Sequence, residues 1–194
     1  MSRDNLLIVF AKNPETEPVK TRLAKRLGQK AQKIYEKMLL QSINTHSSAP
    51  YKFKLFALGE KEYFLRYLAK DQVEQQVGNN LGKRMFNALE KELCDYKKVM
   101  ITGSDILLDQ PFIKDAFKFE DCVVGPSCDG GYYLVGLSRI ENIFQDIPWS
   151  TPVVLEKTKQ LILQFKLNTR YLQEKRDLDD FEDYVYYQSR GLIK

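Results

Sequence analysis

Short apolar runs alternate along this chain with polar stretches whose apolar residues recur at helical spacing. Leu6-Leu7-Ile8-Val9-Phe10 is a continuous apolar run with β-branched residues inside it, the pattern of a strand buried on both faces. A polar loop, Ala11 to Thr21, follows. From about Gln29 to Asn44 the residues Ala31, Ile34, Tyr35, Met38 and Ile43 predict a helix, which His46-Ser47-Ser48-Ala49-Pro50 ends. Phe53 to Leu58 reads as a second strand, Glu62 to Ala69 as a short helix, and Val77-Gly78-Asn79-Asn80 as a connection. Leu81, Met85, Leu89 and Leu93 then form a helical stripe.

Val99 to Thr102 is the third strand. Pro111 to Phe117 suggests a short helix with proline near its first turn. Cys122-Val123-Val124 and Tyr132 to Leu137 read as strands flanking Gly125-Pro126-Ser127-Cys128-Asp129-Gly130-Gly131. Thr151-Pro152 has the form of an N-cap followed by proline, with the helix running to about Phe165. Asn168 to Leu172 is the last strand, and Asp179 to Tyr187 a helix whose Asp179 and Glu182 have capping-box spacing. Strands alternating with helices predict a single-domain α/β fold with a mostly parallel sheet covered on both faces.

Composition narrows the class. At 194 residues, with 43% hydrophobic and 29% charged residues, the chain has the balance of a globular domain rather than a disordered one. No apolar run approaches the roughly 18 residues of a membrane-spanning helix. Leu6 to Phe10 is too short for the apolar part of a secretory leader, so a cytoplasmic protein is expected. Cys94, Cys122 and Cys128 lack paired metal spacing and fit free thiols in a reducing compartment. Net charge is +4, with one basic cluster of Lys20, Arg22, Lys25, Arg26, Lys30 and Lys33, and no nucleic-acid motif appears.

Chemistry concentrates in four places. V-M-I-T-G-S-D, Val99 to Asp105, delivers a carboxylate to the end of a buried strand, where open α/β sheets place ligands; a solvated turn has the same composition. Lys12, Lys20 and Arg22 follow the first strand and could face phosphate oxygens, although Ala11 to Arg22 holds no glycine and so no Walker loop; a solvated basic face is the alternative. Asp177 and Asp179, two apart, fall on one side of an extended chain and could share a hard divalent cation, while Asp179 also fits a helix cap. In Asp129-Gly130-Gly131 the glycines could offer main-chain amides to a ligand beside a hydrogen-bonding carboxylate, or form only a hairpin turn. With His46 as the single histidine, a Ser-His-Asp triad or histidine zinc site is improbable. Tyr184, Tyr186 and Tyr187 read as packing.

These pieces in this order resemble the DUF2064 group, also called radical-SAM/selenodomain-associated transferase 1. The resemblance rests on F-A-K-N-P (Phe10 to Pro14), V-K-T-R-L (Val19 to Leu23), N-L-G-K-R-M (Asn80 to Met85), G-S-D (Gly103 to Asp105), G-P-S-C-D-G-G-Y-Y-L-V-G-L (Gly125 to Leu137), P-W-S-T (Pro148 to Thr151) and R-D-L-D-D-F-E-D (Arg176 to Asp183). It implies a GT-A-like, Rossmann-like three-layer sandwich of the nucleotide-diphospho-sugar transferase superfamily, related to guanylyltransferases. By motif, Ala11 and Lys12 are expected near base and ribose, Lys20 and Arg22 near phosphates, and Asp105 as the metal-binding acid with Asp177 and Asp179. Two departures stand out. Glu15-Thr16-Glu17-Pro18 adds acid beside the expected phosphate site, and Ile106-Leu107-Leu108-Asp109 is expected to reshape the acceptor side.

The implied activity is glycosyl transfer from a nucleotide sugar to a small acceptor with Mg2+ or Mn2+, using Asp105, Lys20 and Asp129 as catalytic groups and Asp129, Gly130 and Gly131 at the acceptor. A nucleotidyltransferase that releases pyrophosphate needs the same cations. A nucleotide-binding module without turnover is a third reading.

Overall fold

The apolar runs become the centre of one sheet. In the computed structural model residues 4–193 are described; Met1 to Arg3, the start of the segment read as leaderless, lie outside the described residues. Strands β1 (Asn5–Lys12), β2 (Lys52–Leu58), β3 (Val73–Gln75), β4 (Lys98–Gly103), β5 (Cys122–Pro126), β6 (Tyr132–Leu137) and β7 (Thr169–Tyr171) lie in the order β3-β2-β1-β4-β6-β5-β7. β6 runs antiparallel to β4 and β5, and the other pairings are parallel. The cause is connection length: β5 and β6 are joined by a tight turn, whereas parallel neighbours need crossovers.

Alternation along the strands sorts the core into two faces. Leu7, Val9 and Ala11 of β1 join Tyr35, Leu39 and Ile43 of α2 (Lys30–Ser47) and Ile113 of α4 (Gln110–Ala116). Leu6 and Ile8 face the other way, toward Met85 and Leu89 of α3 (Leu81–Glu92) and Ile162 of α5 (Val154–Gln164). Leu6, Leu7, Ile8 and Val9 are completely buried, worth about 1.5–3 kcal/mol each. Helices α1 (Thr21–Leu27) and α6 (Phe181–Ser189) pack outside α2 through Leu23, Met38, Leu178, Tyr184 and Tyr187. The result is a three-layer α/β sandwich with a mostly parallel sheet.

Several elements differ from the sequence expectation. Helix α1 begins at the end of the expected polar loop, and the three-residue edge strand β3 precedes the Val77–Asn80 connection. The segment expected as a helix over 62–69 is a 3-10 segment, Lys61–Arg66. Thr151 does not cap α5: its hydroxyl donates to Pro148 O at 2.6 Å, and the helix starts three residues later, after Val153. The cap of α6 is Asp180, whose carboxylate accepts from Glu182 N and Asp183 N while Asp183 reaches back to Asp180 N. Asp179 is thereby free for other work.

Because β1 pairs with β2 on one side and β4 on the other, the chain reverses its direction of travel across the sheet between β1 and β4. The crevice beyond their carboxyl ends is the switch point at which open α/β sheets bind ligands.

Candidate functional site

Two strand ends and two loops converge at that switch point. β4 ends at Gly103, where a Cβ would lie 2.5 Å from Asp105 Oδ1, so only glycine leaves the Asp105 carboxylate its position. Ser104 is buried and donates to the hydroxyl of Tyr35 at 3.0 Å. That hydroxyl also accepts from Lys12 N (2.8 Å) and donates to Lys12 O (3.0 Å). Tyr35 therefore clamps the end of β1 to the loop after β4. In the sequence it reads only as a helix-core residue, and nothing in the 3.6-residue pattern distinguishes a buried tyrosine that packs from one that braces.

Lys20 holds the N-cap position of α1 in the left-handed region, φ 48° and ψ 43°. This backbone costs about 1 kcal/mol for a residue with a Cβ, and it turns the side chain inward, leaving 4% of it exposed. Its Nζ lies 2.7 Å from Asp105 Oδ2 and 3.5 Å from Asp179 Oδ1. Arg22 Nη2 reaches Asp179 Oδ2 at 2.6 Å. Leu178 N donates to Asp105 O at 3.1 Å, which fastens the segment between β7 and α6 beside the end of β4. Five predicted residues, Lys20, Arg22, Asp105, Asp177 and Asp179, are thus brought to one place.

The carboxyls in this cluster are not equivalent. Burial pushes Asp105 up, but the Lys20 ammonium outweighs it, and Asp105 is held below the ordinary carboxylate range. Burial also lowers Lys20, yet Asp105 and Asp179 carry it above its usual value. Asp177 has no such partner: burial first, then the charges of Asp105 and Asp129, push it up to about 7.

Two cavities meet over the cluster. The first, about 490 Å3, is lined by Ala11, Lys12, Lys20, Arg22, Arg84, Asp105 and Asp179, with Tyr35 and Gln76 in its wall. Arg84 lies within the N-L-G-K-R-M motif but carries no role in the sequence reading, where only its neighbour Met85 belongs to the apolar stripe; the fold brings it to the same cavity as Lys12. The second, about 390 Å3, is lined by Asp129, Gly131 and Asp177 together with Phe10, Met85, Trp149 and Val154. Arg22 and Gly103 border both. The late acidic pair is divided: Asp179 faces the cationic cavity and Asp177 the apolar one.

The Asp129-Gly130-Gly131 turn is self-contained. Asp129 Oδ1 accepts from the Ser127 hydroxyl and from Gly131 N, and Gly130 N donates to Ser127 O. Both glycine amides are therefore spent within the turn and not offered to a ligand, contrary to the expectation for Gly130 and Gly131. Gly130, at φ 86°, is required for another reason, since a Cβ there would lie 2.2 Å from Pro152 O. The two departures also act elsewhere than expected. Glu15 pairs with Arg66 at 2.8 Å and neither Glu15 nor Glu17 lines the cationic cavity. Ile106 and Leu108 are buried, Asp109 caps α4, and none of the three lines the apolar cavity. The Cys128 thiol lies 3.5 Å from Glu174, and burial and that carboxylate push it up, the reverse of an activated nucleophile.

A divalent cation fits this donor set in a restricted sense. The oxygens of Asp105 and Asp179, which converge on the Lys20 ammonium, are hard ligands of the kind such a cation takes. Among the described residues no three His, Cys, Asp or Glu side chains are arranged to hold a metal ion together. Asp105 and Asp179 share Lys20 while Asp177, expected beside them, borders the neighbouring cavity; a carboxylate pair is an arrangement Mg2+ accepts when water and substrate phosphates complete its shell.

Comparison with known proteins agrees with this architecture. The family described as "Uncharacterized protein conserved in bacteria (DUF2064)" matches residues 39–151. A proposed nucleotide-diphospho-sugar transferase of Desulfovibrio desulfuricans G20 superposes with a TM-score of 0.88 at 27% identity, over 98% of this chain and 88% of that one. More distant structures share the fold alone. 4-Diphosphocytidyl-2C-methyl-D-erythritol synthase of Anaerococcus prevotii DSM 20548 has a TM-score of 0.61 at 9% identity, covering 98% of this chain and 99% of that one. Rv0371c of Mycobacterium tuberculosis H37Rv, in its complex with manganese, gives 0.55 at 14% identity over 94% and 97%. No curated protein matches the chain by sequence. No helix among the described residues is long and apolar enough to cross a membrane.

Proposed function

The chain belongs to the DUF2064 family, and from that premise we propose that it is a transferase: a glycosyltransferase that takes a nucleotide-sugar donor in the cationic cavity and a small acceptor in the apolar one. The observation that carries this reading is the junction of the two cavities at Arg22 and Gly103, with buried Lys20 and half-buried Asp105 beside it. A two-substrate transfer requires such adjacency, because holding donor and acceptor side by side removes most of the entropic barrier. The 27% identical Desulfovibrio protein supports the same class.

Lys12, Lys20, Arg22 and Arg84 surround the first cavity and can neutralise a diphosphate, with the arginines able to grip two oxygens at once. Lys20 and Arg22 stand where charge develops on a leaving diphosphate. Asp105 and Asp179 would hold Mg2+ or Mn2+, which when bound supplies Lewis-acid stabilisation of that leaving group. Asp129, fixed by Ser127 and Gly131 N, is oriented to accept a hydrogen bond from an acceptor hydroxyl.

The same cations and carboxylates serve nucleotidyl transfer with pyrophosphate release, and the product separates the two. We expect nucleoside diphosphate to appear when the protein is incubated with nucleotide sugars, an acceptor panel and Mg2+ or Mn2+, and Asp105→Asn to abolish it while leaving the circular dichroism spectrum unchanged. Pyrophosphate from nucleoside triphosphates would move the reading to nucleotidyl transfer. Neither product, with nucleotide still bound, would reduce the protein to a binding module, and full activity in Asp105→Asn would remove Asp105 from the machinery.

A further inference from the structure

The two cavities differ in kind. Where the first is ringed by cations, the second is walled by Met85, Trp149, Pro152 and Val154, with Phe10 and Leu81 shared between the two. Its volume, about 390 Å3, lies within the range of small-ligand sites. Its charged groups are Asp129, Asp177 and Arg22, of which Arg22 also borders the cationic cavity, and Ser127, Ser150 and Thr151 add hydroxyls to the lining.

The wall is built rather than left over. Trp149 sits on a loop turned by the left-handed residues Asp146 and Ser150. Its indole lies over Gly82, where a Cβ would come within 2.5 Å of the ring, and edge-on to Tyr132 at 6.4 Å between centroids. Only glycine at position 82 permits this closeness. The indole therefore has a fixed seat between α3 and β6, with the cavity beside it.

Resting on the transferase reading, we propose that the acceptor is a small alcohol with a hydrophobic body rather than a sugar: its apolar part lies against Trp149, Met85 and Val154, and its hydroxyl points to Asp129 and Asp177. The argument is one of unpaired groups. An apolar body covers Met85, Trp149, Pro152 and Val154 with no loss of hydration, whereas a sugar that stacks one C–H face on the indole still turns hydroxyls toward Met85 and Val154, which offer them no partner. Met85 adds an adaptable surface that accommodates an irregular body.

Trp149 is the chain's one tryptophan, so its emission reports this cavity without any label and without turnover. Geraniol and cyclohexylmethanol, which do not absorb at the excitation wavelength, are titrated into the full-length protein without nucleotide, beside glucose and mannose. The expected result is a saturable emission change with the alcohols, at least tenfold weaker or absent with the sugars, and weakened at least threefold in Met85→Gln. If Met85→Gln does not fold, the wild-type alcohol and sugar series still decides. No saturable response to either alcohol, or sugars binding more tightly, would overturn the proposal. Alcohol binding without transfer from any nucleotide donor would sustain the cavity assignment and sink the transferase reading. Transfer to sugars with no alcohol binding would do the opposite.

Discussion

Replacing Lys20 by methionine removes the one buried cation in the carboxylate cluster while keeping the length of the side chain. At 2.7 Å the attraction between Nζ and Asp105 Oδ2 is about 6 kcal/mol at an effective dielectric constant of about 20, most of it offset by the desolvation of both groups. What matters in the variant is the charge left behind. Breaking a buried pair from one side costs about 3–5 kcal/mol, and since the Asp105 side chain is 31% exposed toward the cleft, water recovers part of this, leaving about 2–3 kcal/mol. For a chain of this size that lowers Tm by about 5–10 °C. The pH dependence has a fixed sign. In the wild type Asp105 is held below its unfolded value, so its contribution is present above the ordinary carboxylate range and is lost as pH falls through the depressed folded value. Without Lys20 the shift reverses, and the cost appears at high pH and is relieved by protonation. Urea and thermal unfolding at pH 8 and pH 5 should show a large gap between variant and wild type at pH 8 and a smaller one at pH 5. A Lys20→Met protein within about 0.5 kcal/mol of wild type at pH 8, or a cost that does not shrink at pH 5, would refute the reasoning.

Two further outcomes follow from groups outside the carboxylate cluster. His46 is buried, shares a 2.7 Å hydrogen bond between Nδ1 and the Tyr51 hydroxyl, and is pushed down by burial to about 4. Folded His46 stays neutral where the unfolded chain binds a proton, so stability is lost as pH falls from about 6.5 toward 4, by about 3 kcal/mol in all. The single imidazole makes this readable by NMR, and a titration midpoint near 6.5 in the native protein would contradict it. Gly82→Ala drives a methyl group into the Trp149 ring and should cost about 1–3 kcal/mol with a shift in tryptophan emission; an unchanged spectrum and melting point would mean the indole is not wedged.

Much of the scaffold is legible in the sequence because burial on both faces leaves an unbroken apolar run. β1 and β4 are visible for that reason, β2 from the run Leu55 to Leu58 that follows Lys54, and α3 from its stripe. Helix α1 is not, since Thr21–Leu27 buries only Leu23 and carries no periodic face. β3 is three residues on an edge, too short to have a pattern. The placement of β6 between β4 and β5 is a long-range outcome that no window of residues contains. Spacing alone also leaves the cap of α6 undecided: D-D-F-E-D offers both Asp179 with Glu182 and Asp180 with Asp183. The second wins, and Asp179 instead meets Arg22 and Lys20, cations about 160 residues away in sequence that local statistics cannot weigh. In the same way V-M-I-T-G-S-D shows that a carboxylate reaches a strand end, while its companions Tyr35 and Arg84 become visible only when α2 and α3 are packed on opposite faces of the sheet.

The helix that carries Tyr184 and Tyr187 back against α1 has a consequence for synthesis on the ribosome. Residues up to Phe117 contain β3, β2, β1 and β4 and both partners of the Lys20–Asp105 pair, but not α6, which packs against α1. Asp177 and Asp179 arrive only after the chain has returned through β7, held by Leu178 N on Asp105 O. A chain made only to Phe117 therefore carries Lys20, Arg22 and Asp105 without Asp177 and Asp179, and the charge balance of the site is complete only once the segment leading into α6 has been made.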